Sequence, residues 1–123
     1  MKFYICKHCG NIIEKINDSG APVSCCGEQM TELIPGTSDG ASEKHVPIFD
    51  INENAITVKV GTLKHPMEEV HYIEWLEIET EKGVQRKYLK PGEEPQATFL
   101  LTEDDTLVSI YAYCNLHGLW KAE

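Results

Sequence analysis

Three observations predict a mainly β protein in two parts. From residue 46 onward, short runs rich in Val, Ile, Thr and aromatic residues alternate with turn signals. No amphipathic helix interrupts those runs. Four of the five cysteines crowd into the first 34 residues, among apolar pieces too small to bury a core unaided. The reading is therefore a small metal-stapled unit followed by an antiparallel β-sandwich.

The stapled unit holds "FYI" and "NIIEKI", which read as tiny strands. The stretch "PGTSDGAS", residues 35 to 42, has the composition of turns and flexible connections, and it places a boundary between residues 1–36 and 37–123. Beyond it, "VPIFDI", "AITVKVG", "VHYIEWLEIE", "VQRKYL", "QATFLL" and "LVSIYAY" read as strands separated by "EKG", "KPGEEP" and "TEDD". Alternation puts Ile56, Val58 and Val60 inward and Thr57 and Lys59 outward. In the longest run the phase changes: Ile73 and Trp75 share one face, Leu76 and Ile78 the other, so a bulge is expected near residues 75 and 76.

With 11 basic and 20 acidic residues the net charge is −9, which opposes binding to phosphate backbones or anionic lipid. No apolar run approaches the roughly 18 residues of a membrane span, and the N-terminus "MKFYICKHCG" has no signal-peptide pattern. The expectation is a cytoplasmic protein without nucleic-acid or membrane partners. An odd number of cysteines in a reducing compartment points to metal ligation rather than a disulfide framework.

The first constellation is Cys6-Lys7-His8-Cys9-Gly10, a knuckle whose single tight turn points two sulfurs at one metal. Cys25 and Cys26 complete four thiolates. Neighbouring side chains on an extended backbone point apart, so both sulfurs reach one ion only if the local backbone distorts. Spacing alone leaves structural zinc and redox iron open. His8, inside the knuckle, reads as exposed and unligated.

The second constellation is spread along the β part: His45, His65, His71, Cys114 and His117. Pro47 and Pro66 keep the first two imidazoles near strand ends or loops, where a rim of the sandwich can gather them. Cys114 and His117 fit a short turn after the last long strand, with Asn115 and Gly118 permitting the bend. Five nitrogen and sulfur donors exceed what tetrahedral zinc accepts, whereas a redox iron holds five and keeps a sixth position open. Copper and zinc remain possible on spacing. Glu68 and Glu69, close to these histidines, read as solvated or supporting groups.

The motifs "CKHCGN", "CCGEQM", "DGASEKHVP", "KVGTLKHPMEEVHYIEW", "LKPGEEP" and "YCNLHGLWKAE" closely resemble those of the desulfoferrodoxin family, two-iron superoxide reductases, over essentially the whole chain. The resemblance implies a desulforedoxin-like first domain with an Fe(Cys)4 site on Cys6, Cys9, Cys25 and Cys26. It further implies an immunoglobulin-like second domain with an Fe(His)4(Cys) site: His45, His65, His71 and His117 in a plane and Cys114 axial. The implied reaction is one-electron, inner-sphere reduction of superoxide to hydrogen peroxide, with re-reduction by an external donor, typically rubredoxin. In that family's "EKH" motif, Lys44 attracts superoxide and the Glu43 carboxylate fills the sixth position in the oxidised resting state. A homodimer is the usual assembly. Two other readings compete: a small two-site electron carrier or redox sensor, and an interaction module with two structural zincs.

Overall fold

The computed structural model describes residues 1–123, which form two compact units, Met1–Ile34 and Pro35–Glu123. In the first, β1 (Lys2–Ile5) lies between β2 (Ile12–Lys15) and β5 (Thr31–Leu33) in an antiparallel sheet, and β3 (Ser24–Cys25) pairs with β4 (Glu28–Gln29) in a minimal hairpin. Only Phe3 and Cys6 are fully buried in this unit. Such a unit needs a staple, as its size already implied.

The second unit is a seven-strand antiparallel sandwich. One sheet has the order β10 (Gln96–Leu100), β7 (Ala55–Val60), β6 (Pro47–Asn52); the other runs β12 (Gly118–Ala122), β11 (Leu107–Cys114), β8 (Ile73–Thr80), β9 (Val84–Tyr88). Connections β7–β8, β9–β10 and β10–β11 cross between the sheets, as in immunoglobulin-like sandwiches. Ile56, Val58 and Val60 of β7 and Phe99 of β10 meet Leu76, Ile78, Ile110 and Ala112 of the facing sheet in one core cluster. Thr57 and Lys59 point away from it, so the period-2 reading of this strand holds.

Three features depart from the sequence reading. The bulge sits one residue earlier than expected: Ile73 pairs with Cys114 and Trp75 with Tyr113, leaving Glu74 as the extra residue. Ile73 therefore joins Leu76 and Ile78 in the core instead of sharing a face with Trp75. Secondly, the turn after the last long strand leads into a further strand. Gly118–Ala122 returns as β12, so Cys114 and His117 belong to a hairpin in which Cys114 pairs with Gly118. Gly118 takes φ 76°, a conformation glycine adopts at little cost. Thirdly, residues 35–41 are not a free connection. The Gly36 N–H donates to Leu119 O at 2.9 Å and the Ser38 hydroxyl to His117 O at 2.6 Å, fastening this segment to the second unit.

Candidate metal centres

Cys6, Cys9, Cys25 and Cys26 converge with their sulfurs all within 4.8 Å of one another. The knuckle closes as the Gly10 N–H donates to Cys6 O at 2.8 Å, with Gly10 at φ 83°. The adjacent pair is accommodated by the distortion its spacing demanded: Cys26 stands at φ 52° and Gly27 at φ 78°, so both sulfurs turn inward, 3.9 Å apart. Backbone N–H groups of Cys9 and His8 favour the Cys6 thiolate and bring it down to about 6. Hydrogen bonding to Cys9, Cys6 and Cys25 pushes Cys26 the other way, to about 12, because four thiolates cannot ionise together at this distance without a cation. The donor set thus fits one thiophilic metal. His8 is exposed and pairs with Glu28 at 3.0 Å.

The second cluster is built by topology. The start of β6 lies beside the end of β7, where Pro47 pairs with Val60, and the start of β8 lies beside the end of β11. His45 ends the single helical turn α1 (Ser42–His45) just before β6; His65 and His71 occupy the connection from β7 to β8; Cys114 closes β11, and His117 lies in its hairpin. Donor atoms of His45, His65, His71 and Cys114 lie within 4.8 Å of one another. His117 Nδ1 is 3.2 Å from His45 Nε2 and 4.0 Å from Cys114 Sγ.

The four imidazoles form a closed circuit. Ring centroids of His45 and His65 are 4.6 Å apart, of His65 and His71 4.7 Å, of His71 and His117 5.2 Å and of His117 and His45 4.9 Å, each pair close to perpendicular. Across the circuit, His45 and His71 are 6.5 Å apart. His45 Nδ1 donates to Ala41 O and His65 Nδ1 to Pro66 O, each at 2.7 Å, which leaves both Nε2 atoms as lone-pair donors. Those atoms face each other at 3.1 Å. Burial holds both rings below the ordinary imidazole range, His65 at about 4, so near neutrality neither carries a second proton to bridge the gap. Two lone pairs at that distance call for a Lewis acid. His71 Nε2 is likewise buried with no hydrogen-bond partner. Neighbouring nitrogens 3.1 and 3.2 Å apart on a square lie about 2.2 Å from its centre, near the roughly 2.0–2.1 Å of a metal–imidazole bond.

Cys114 is fully buried, and that burial raises its pKa although backbone N–H groups of Leu116 and His117 oppose the shift. A buried thiol of this kind ionises when a cation is bound beside it. Glu43 and Lys44 are exposed on α1. After burial and the neighbouring rings, the Lys44 charge adds to the lowering of the His45 and His71 pKa, against an opposing contribution from Glu68 at His71. Glu68 and Glu69 are exposed, and the backbone of Glu68 bridges that of His71.

Several supporting residues escaped the sequence reading. Trp120 stacks on His45 with centroids 4.9 Å apart, and its indole N–H donates to His117 O at 3.0 Å. Gly40 lies so close to the rings that a Cβ there would sit 2.9 Å from His117 Cβ and 3.1 Å from His45 Cε1. Gly61 seats α1, since a Cβ would fall 2.8 Å from Glu43 O. Gly40 lies in a turn-like stretch and Gly61 closes the strand run "AITVKVG", neither of which says anything about a close approach.

Comparison with known proteins agrees with this architecture. The desulfoferrodoxin family model matches residues 37–123, and the model for the desulfoferrodoxin N-terminal domain matches residues 1–33. Desulfoferrodoxin from Nitratidesulfovibrio vulgaris is 48% identical over 122 residues, 99% of this chain and 95% of its own. A desulfoferrodoxin homolog from Archaeoglobus fulgidus is 47% identical, covering 99% of this chain and 96% of its own. The crystal structure of the superoxide reductase from Treponema pallidum matches with a TM-score of 0.83 at 36% identity, covering 98% of each chain. With both domain models and full-length relatives matched, the chain belongs to the desulfoferrodoxin family.

Proposed function

We propose that this chain is a superoxide reductase, converting superoxide to hydrogen peroxide by adding one electron and two protons. The observation that carries the reading is the closed circuit of four imidazoles, with lone pairs aimed inward and a buried thiol beside it. Cys6, Cys9, Cys25 and Cys26 would hold one iron; His45, His65, His71, His117 and Cys114 would hold the second. Iron held there would supply the electron and bind the anion.

The chain's own residues prepare that step. The carbonyls of Ala41 and Pro66 fix which imidazole nitrogens face inward. The thiolate of Cys114 donates electron density to the metal and so tunes its potential. A net charge of −9 repels superoxide from the molecule as a whole, and Lys44 offsets that repulsion locally. Glu43, on the same helical turn, supplies a carboxylate for the oxidised resting state. Functionally, residues 1–36 form the desulforedoxin-like iron domain and residues 37–123 the catalytic one.

No helix is long and apolar enough to cross a membrane. A cytoplasmic homodimer re-reduced by a rubredoxin-like donor is the setting that the family resemblance supports. The test is stoichiometric. Pre-reduced, iron-loaded protein mixed with superoxide should yield one hydrogen peroxide per superoxide consumed and no dioxygen. Dioxygen release with half that peroxide is dismutation and rejects the assignment.

A further inference from the structure

Each imidazole of the circuit needs something to hold its ring, and for three of them the device is visible. His45 donates to Ala41 O and stacks on Trp120. His65 donates to Pro66 O. His117 has its own carbonyl gripped by Ser38 and Trp120. His71, whose Nε2 faces the circuit with no hydrogen-bond partner, lies two residues before β8 and is partly exposed.

Asn115 brackets it instead. The Asn115 side chain accepts from the Tyr72 N–H at 3.0 Å through Oδ1 and donates to Val70 O at 3.1 Å through Nδ2, so it grips the backbone on both sides of His71. Its own N–H donates to Tyr72 O at 3.2 Å. One amide oxygen meets a donor and one amide nitrogen meets an acceptor, which fixes the amide orientation and excludes a carboxylate as a full substitute. Asn115 also directly follows Cys114 in the chain. The thiolate and the imidazole 43 residues away are thus tied through a single side chain.

We infer that Asn115 is the positioning residue for His71, setting that imidazole against Cys114 across the β11–β12 hairpin. This rests on reading the second centre as a metal site, but not on the reaction assigned to it. Residues that orient metal ligands typically change affinity by about 10- to 100-fold when removed. Asn115 is expected in that range, and its effect should run through His71.

A double-mutant cycle separates this role from a general loss of stability. The affinity of the second centre for ferrous iron is measured anaerobically in the full chain, by competition with a chelator of known strength, while the absorption of the first centre serves as an internal control. Asn115→Ala should weaken binding at least tenfold and shift the thiolate charge-transfer band, with the first centre unchanged. In a His71→Ala background the same substitution should have almost no further effect on affinity. If Asn115→Ala does not fold, Asn115→Asp keeps the acceptor for Tyr72 and loses the donor to Val70; its several-fold loss should likewise vanish without His71, whereas a simple charge effect would persist. Equal losses in both backgrounds, or no loss in either, overturn the inference. Failure of the unaltered second centre to bind iron would instead overturn the functional reading.

Discussion

The two centres of this chain are assembled in opposite ways. The first draws its sulfurs from two short turns in a unit whose only fully buried residues are Phe3 and Cys6. The second draws five donors from four places along some 70 residues, gathered where the ends of β7 and β11 lie beside the starts of β6 and β8. In the first unit the metal makes the fold; in the second the fold makes the metal site. A core joining Ile56, Val58, Phe99, Leu76, Ile78 and Ile110 packs without drawing on any of the histidines.

Exchanging single ligands gives the largest expected contrast. Cys114→Ala should abolish the single-turnover reaction of pre-reduced protein with superoxide while leaving the first centre's absorption intact. Cys26→Ala should do the reverse, bleaching the first centre and sparing the reaction. If Cys26→Ala also stopped the reaction in pre-reduced protein, the two centres would not be separable.

Stripping both metals sharpens the same contrast at the level of folding. Amides of Met1–Ile34 should lose protection from hydrogen exchange, whereas β7, β8 and β11 should remain protected by the sandwich core. Equal loss in both units would show that the second fold also depends on its metal.

Smaller effects concern the exposed turn that carries Glu43 and Lys44. Lys44→Ala should slow superoxide capture several-fold and flatten its dependence on ionic strength, because a local positive charge is lost from an acidic protein. Glu43→Ala should leave capture nearly unchanged but alter the visible spectrum of the oxidised protein. An unaltered capture rate in Lys44→Ala would remove the steering role.

The gentlest perturbation is pH on the metal-free chain. Burial lowers His65 from 6.5 to about 4, and the same cause lowers His45 and His71. The unfolded chain therefore binds more protons in this window, so stability should fall as pH drops from about 6.5 towards 4 and be fully present above it. Melting temperatures across that range should show the decline in the second unit, and a flat profile would contradict the buried neutral cluster.

What could be read from the sequence follows the same division. The Cys-X-X-Cys knuckle is local, and even the distortion at Cys25-Cys26 was foreseeable because adjacent side chains diverge on extended backbone. Alternation in "AITVKVG" placed the β7 core correctly because each residue's face depends only on its neighbours. The strand Gly118–Ala122 leaves little local signal, because Gly118 reads as part of the bend after Cys114 and only pairing with β11 makes "GLWKA" a strand. The bulge falls one residue earlier than expected since the phase change in "IEWLEI" can be absorbed at several positions, and the register against Cys114 selects Glu74. Gly40, Ser38 and Asn115 act on histidines distant in the chain or through backbone atoms, contacts that leave no local pattern.

The central claim is that the second centre alone meets superoxide. Fully reduced, two-iron protein mixed rapidly with superoxide, with both centres' absorption followed together, tests it directly. The expected result is that the thiolate band of the second centre appears in the first fast phase while the first centre is still reduced. Oxidation of the first centre in that phase, with the second unchanged, would contradict it.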